Sequence, residues 1–176
     1  MRRICLDLGE SNPIGQKYIQ AIIEQRFDDF QFENCLSYVS LPPRKHTKTK
    51  LEAPDTLDTY REIFDFLRKQ NVEKIFKIIV NDLVGPPHSD RSIVELTKEF
   101  HVEHWEWRKL DISSDAILRA APEVKSVVLH SSGNFSVLQG WACKHGQAKL
   151  QDVSFHLYRK NPIQLADELF TIAEES

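Results

Sequence analysis

One spaced pattern recurs four times in this chain: an apolar residue, two of any kind, an apolar residue, one of any kind, and a third apolar residue. It stands at Ile75-x-x-Ile78-x-Val80, Val102-x-x-Trp105-x-Trp107, Val124-x-x-Val127-x-Leu129 and Leu150-x-x-Val153-x-Phe155. The starts lie roughly 20–30 residues apart, the length of one strand plus a helix or turn in a stacked repeat. Such a unit cannot bury its apolar face alone, so neighbouring units must stack to build a core. Few architectures satisfy that demand.

At 176 residues the chain can form a core of its own, and residues 1–176 are read as a single domain. A 41% apolar and 28% charged composition fits a globular chain rather than a disordered one. The net charge of −3 argues against a general nucleic-acid binder, which would be basic. No apolar run reaches the ~18 residues that a membrane span needs. Asp7 falls too early for a signal-peptide core. Cys5, Cys35 and Cys143 are an odd, widely spaced set, which gives neither a disulfide framework nor a zinc signature. A reducing, cytoplasmic setting is the expectation.

Hydrophobic periodicity fills in the units. A short strand is expected over residues 4–8, then a helix over 15–27 on the spacing of Tyr18, Ile19, Ile22, Ile23 and Phe27. Residues 32–41 read as extended. Residues 44–54, with Arg44, Lys45, His46, Lys48 and Lys50, read as a mobile basic loop that trypsin should cut first; a patch for an acidic partner is the functional alternative. Asp55 or Thr56 caps a helix striped by Leu57, Tyr60, Ile63, Phe64 and Leu67. A strand over 74–81 follows. Ser89-x-x-Ser92 and the capping-box match Ser92-x-x-Glu95 both mark the next helix start. A strand over 102–108, a helix capped by Ser113 or Ser114, a strand over 125–130, a turn at Gly133-Asn134 and a short helical piece through Trp141 come next. A strand over 152–158 and a helix capped by Asn161, with Pro162 in its first turn, complete the series.

Strands alternating with helices over short connections imply a parallel α/β sheet with βα repeats. Two forms are open: a leucine-rich-repeat-like one-sided solenoid, and a three-layer doubly wound α/β sandwich. A strand covered on both faces is apolar on both. His104-Trp105-Glu106-Trp107-Arg108 is not, since its tryptophans share one face and its charged groups the other. Ser154-Phe155-His156-Leu157 alternates likewise. Residues 75–80, apolar on both faces except for Lys77, suit the sandwich. The one-sided form is preferred.

Aligned by the repeat, the free face carries three rows. Asn81, Arg108 and His130, with His156 beside them, form the first; Ile79, Glu106, Val128 and Ser154 the second; Lys77, His104, Ser126 and Asp152 the third. Lys77, Asn81, His104, Glu106, Arg108, His130 and His156 are the candidate partner-binding residues. His130 and His156 would make a contact there sensitive to pH between ~5 and 7.

Other motifs favour plain structural roles. His101 and His104 are three apart and point to opposite faces of a strand, so they are no metal pair. Cys143-Lys144-His145 suggests a packed cysteine rather than a reactive thiol. His88-Ser89-Asp90 imitates a triad in letters only. Trp141 reads as a core anchor on the helical spacing of Val137, Leu138 and Trp141. No phosphate-cradling glycine motif occurs. No catalytic residue, metal or cofactor is expected.

Several blocks, in order, resemble a known region. They are residues 36–42, 77–83, 86–90, 102–111, 120–124 and 132–141, beginning with Leu36-Ser37-Tyr38-Val39-Ser40-Leu41-Pro42. Together they resemble the non-catalytic N-terminal region of fungal intracellular subtilisin-like serine protease family proteins. That resemblance covers roughly residues 18–158 and implies fungal origin, a cytoplasmic setting and a neighbouring protease domain. The protease motifs are missing: Asp7 precedes Leu8-Gly9, His145 precedes Gly146-Gln147, and no Gly-Thr-Ser occurs.

The reading is therefore a non-enzymatic protein-interaction or regulatory module, engaging a protein partner or its own protease domain, without nucleic acid or membrane. The alternative is a doubly wound small-ligand or nucleotide-binding enzyme domain, with a site at residues 7–12, Asn81-Asp82 and residues 130–132, where strands end.

Overall fold

Residues at spacing i, i+3, i+5 cannot all share one face of a regular strand, because faces alternate at every residue. In the computed structural model all three positions are nonetheless buried in one core. The structure describes residues 5–9, 21, 32–43, 59–84, 86–143 and, by backbone alone, 154–159. Ile75, Ile78 and Val80 are each fully buried, as are Val102, Trp105 and Trp107, and Val124, Val127 and Leu129 join them in one core. In β4 (Lys74–Asn81) the alternation of buried and exposed positions breaks at Phe76-Lys77, two exposed residues between buried Ile75 and Ile78. The fourth copy lies outside the described side chains.

Seven strands result: β1 (Cys5–Asp7), β2 (Cys35–Leu36), β3 (Tyr38–Leu41), β4 (Lys74–Asn81), β5 (His101–Leu110), β6 (Ser126–Ser131) and β7 (Ser154–Arg159). All pairings are parallel, in the order β1-β3-β4-β5-β6-β7, with β2 also on β4. One straight row crosses the sheet through Leu6, Val39, Ile78, Trp105, Val127 and Phe155. A copy of the pattern that the spacing search passed over appears here. Leu36-x-x-Val39-x-Leu41 pairs with Ile75, Ile78 and Val80 in register, and its three apolar side chains are all buried. The break at Ser37, which separates β2 from β3, falls in the same place as the break at Phe76-Lys77 in β4.

Four helices bounded within the described residues join this core: α1 (Thr59–Lys69), α2 (Asp90–Thr97), α3 (Ser114–Ala120) and α4 (Phe135–Ala142). In α1, Tyr60, Ile63, Phe64 and Leu67 form an i, i+3, i+4, i+7 stripe and are all buried. Its end is a Schellman turn with Asn71 at a positive φ of 58°: Val72 N donates to Leu67 O and Asn71 N to Arg68 O. Arg68 then reaches the last turn of α2, donating to Leu96 O at 2.7 Å and pairing with Glu99 at 2.6 Å.

The cap of α2 is Ser89, whose side chain accepts from Ser92 N; Ser92 lies inside the helix, so the Ser92-x-x-Glu95 box is not used. Ser113 caps α3 and Asn134 caps α4. Tyr60, Phe64, Ile93, Leu96, Ala116, Ile117, Ala120, Leu138 and Trp141 share one cluster with Ile78, Trp105, Trp107, Val127 and Leu129. The described helices and strands thus share one apolar core. Of the helix expected over 15–27 only Ala21 is described, and it is helical. The loop expected over 44–54 and the helix capped by Asn161 lie outside the described residues.

Candidate interaction surface

Two places compete for function: the carboxyl ends of the strands and the sheet face that carries Glu106. Leu83, Val84 and Phe135 stand exposed near the carboxyl ends, but the acidic residues there are committed to holding the fold. Asp82 follows β4 and is 2% exposed. Its carboxylate accepts from His88 N at 2.9 Å and Trp107 Nε1 at 3.0 Å, and lies 3.0 Å from His88 Nδ1. Burial pushes its carboxyl up, but the bonds from His88 and Trp107 outweigh it and hold the group below the usual aspartate value. Tyr60 stacks on His88 at 5.0 Å, and its hydroxyl meets Pro42 O and Asn81 O at 2.7 and 2.9 Å.

The neighbouring loops are bound in the same way. Asp90 takes Lys109 and Ser113 N, and Asp111 takes Ser132 N at 2.9 Å. Asp7 accepts from Gly9 N across a turn where Gly9 has φ 84°. His88, Ser89 and Asp90 thus make three separate attachments: to Asp82, to Ser92 and to Lys109 with Ser113. Trp141 is buried, with its Nε1 donating to Ile112 O at 2.8 Å. Cys143, expected to pack like an apolar group, is exposed at the end of α4, where its Sγ lies 3.2 Å from Gly140 O.

The face that carries Glu106 is uneven. Its central row runs Asp7, Ser40, Ile79, Glu106, Val128 and His156. Ser40 is 0% and Ile79 5% exposed, so the face is closed there. Glu106 and Arg108 were expected to stand open. They are partly buried and bond each other at 2.7 Å. Their charges both act on His130, whose pKa burial pushes below the usual histidine value, with Glu106 raising it and Arg108 lowering it. The amino-terminal part of the face is open: Phe76 is 45% exposed, Lys77 is exposed, and the Phe76 ring lies 4.6 Å from that of His104. Beside Phe76, Glu103 bonds both Lys74 and Lys125, which hold its carboxyl down to about 2.

Family models, curated proteins and solved structures were compared with the chain, and none matched.

Several expected positions move. Asn81 pairs with Arg108, but His130 pairs with Leu110, because β5 loses register between Glu106 and Leu110. His156 pairs with Val128 and Ser154 with Ser126, two places from the expected rows; the side chain of His156 is not described. Lys77, His104 and Ser126 do form one row. Sequence reasoning missed Phe76. It took residues 75–80 as apolar on both faces, and only the break in alternation at Phe76-Lys77 shows that this ring stands exposed. The i, i+3, i+5 spacing itself was the available signal.

Proposed function

We propose that the chain is a non-enzymatic protein-interaction module, a leucine-rich-repeat-like one-sided sheet whose Glu106-bearing face receives a partner. One observation carries this reading: Phe76, a large aromatic ring, sits 45% exposed in the third strand position of a seven-stranded sheet. Aromatic residues are enriched among those that dominate binding energy, and an exposed ring in the open part of a sheet offers apolar surface that a partner can cover. In-order parallel strands and a core that takes in α1 through α4 support the one-sided form.

The doubly wound, ligand-binding reading loses its central acid. Asp82 is already saturated by donors from its own fold, leaving a ligand little to bind. The resemblance to fungal subtilisin-like proteins makes the parent protease domain one partner to test, in a cytoplasmic setting. The test is a quantitative pull-down with wild type and a Phe76→Ser variant, using that protease domain and fungal lysate as bait sources. Partners retained by wild type should be lost from the variant. Identical retention would end the reading.

A further inference from the structure

Resting on that docking reading, we infer that the occupant of the open face is an acidic protein segment that lays an apolar side chain against Phe76. The charges around the ring set the sign. Phe76 sits beside Glu103 and His104 on β5, between the paired positions Ile75–Val102 and Lys77–His104. On the next strand, Lys125 N donates to Glu103 O, and Ser126 pairs with His104. These rows supply Lys74, Lys77 and Lys125 against Glu103, with the exposed Glu73 and Glu123 at their amino-terminal edge.

The exposure of these groups is unequal. The Lys74 and Lys125 side chains are 40% and 65% exposed, whereas that of Glu103 is 10% exposed beneath both. Lys77 is exposed and makes no ion pair among the described residues. Glu123, which also acts on Lys74, is engaged by His101 at 3.0 Å. Ammonium groups therefore face outward around an apolar ring, in a chain whose net charge is −3. A segment with carboxylates flanking an aliphatic or aromatic anchor satisfies both features at once. Carboxylates gain from partly exposed ammonium groups within a Debye length of ~8–10 Å, and the anchor removes the Phe76 ring from water.

The experiment pans a random dodecapeptide display library on the full chain, with counter-selection on Phe76→Ser. Circular dichroism and the unfolding midpoint check that the variant is folded. Enrichment of peptides with Asp or Glu around an apolar anchor, lost on Phe76→Ser, is the expected result. The best peptide should then bind at least tenfold more weakly to Lys77→Glu, and more weakly again as salt rises from 0.05 to 0.5 M, by roughly a further tenfold. Phe76-dependent peptides that are neutral or basic would overturn the acidic occupant and leave the docking surface standing. A screen with no Phe76-dependent enrichment would overturn both.

Discussion

Trp105 and Trp107 stack at 5.7 Å in one strand, yet their indole N–H groups meet different fates. Trp107 Nε1 donates to the buried Asp82 carboxylate at 3.0 Å, while Trp105 Nε1 is buried with no hydrogen-bond partner among the described residues. A bond to a charged group contributes roughly 1.5–3 kcal/mol, and an unmet buried donor costs about 1–3 kcal/mol. Truncation to phenylalanine removes similar volume from both sites but removes a favourable bond only at Trp107. Trp107→Phe should therefore destabilise by about 1–3 kcal/mol more than Trp105→Phe in urea unfolding. Equal losses would show that the Asp82 bond contributes nothing net. Replacing Asp82 itself by alanine strands the His88 and Trp107 donors together, and should cost about 3–5 kcal/mol, the range for breaking a buried charged pair.

The strands were legible where apolar spacing speaks directly, and obscure where an irregularity changes which way a side chain points. The pattern at 75–80 and 102–107 marks β4 and β5 to within a few residues. The same pattern at Leu36, Val39 and Leu41 went unseen because a bend at Ser37 splits its strand and the next copy begins 39 residues on, outside the even spacing of the others. Leu36→Ala tests whether this copy belongs to the core. A loss of about 2–5 kcal/mol is expected for a buried leucine, against no more than ~0.5 kcal/mol for a surface position. Phe76→Ser is the counterpart. Its ring is half exposed, so unfolding should shift by less than about 1 kcal/mol while binding is lost. At the free face, spacing recovered the row of Lys77, His104 and Ser126, which precedes the loss of register in β5. It misplaced His130, which follows it. Sequence alone gives no sign of how many residues a strand drops from its ladder.

At the scale of the molecule, His130 and three carboxylates among the described residues act in the same direction over two pH windows. His130 is held below its ordinary value of 6.5 by burial, so the unfolded chain binds the proton more readily. Its contribution is complete above about 6.5 and is lost as pH falls from there toward the folded value. Asp82, Asp90 and Glu103 are held below ordinary carboxylate values, Glu103 to about 2. Their contribution is present above the unfolded values near 4 and disappears as pH falls below them. Thermal midpoints measured from pH 8 downward should therefore fall in two stages, one beginning near 6.5 and one near 4. His130→Gln should flatten the first stage alone. A variant that keeps the full slope between pH 7 and 5 would assign that stage to another group.

In this sheet each of β4 through β7 lies beside the strand that precedes it along the chain. Parallel pairing of that kind needs a crossover for every strand, so each addition closes a loop before its contacts form, which slows assembly. A nascent chain leaving the ribosome at ~5–20 residues per second can add each strand to an edge that is already waiting, with no need for a distant segment to arrive first.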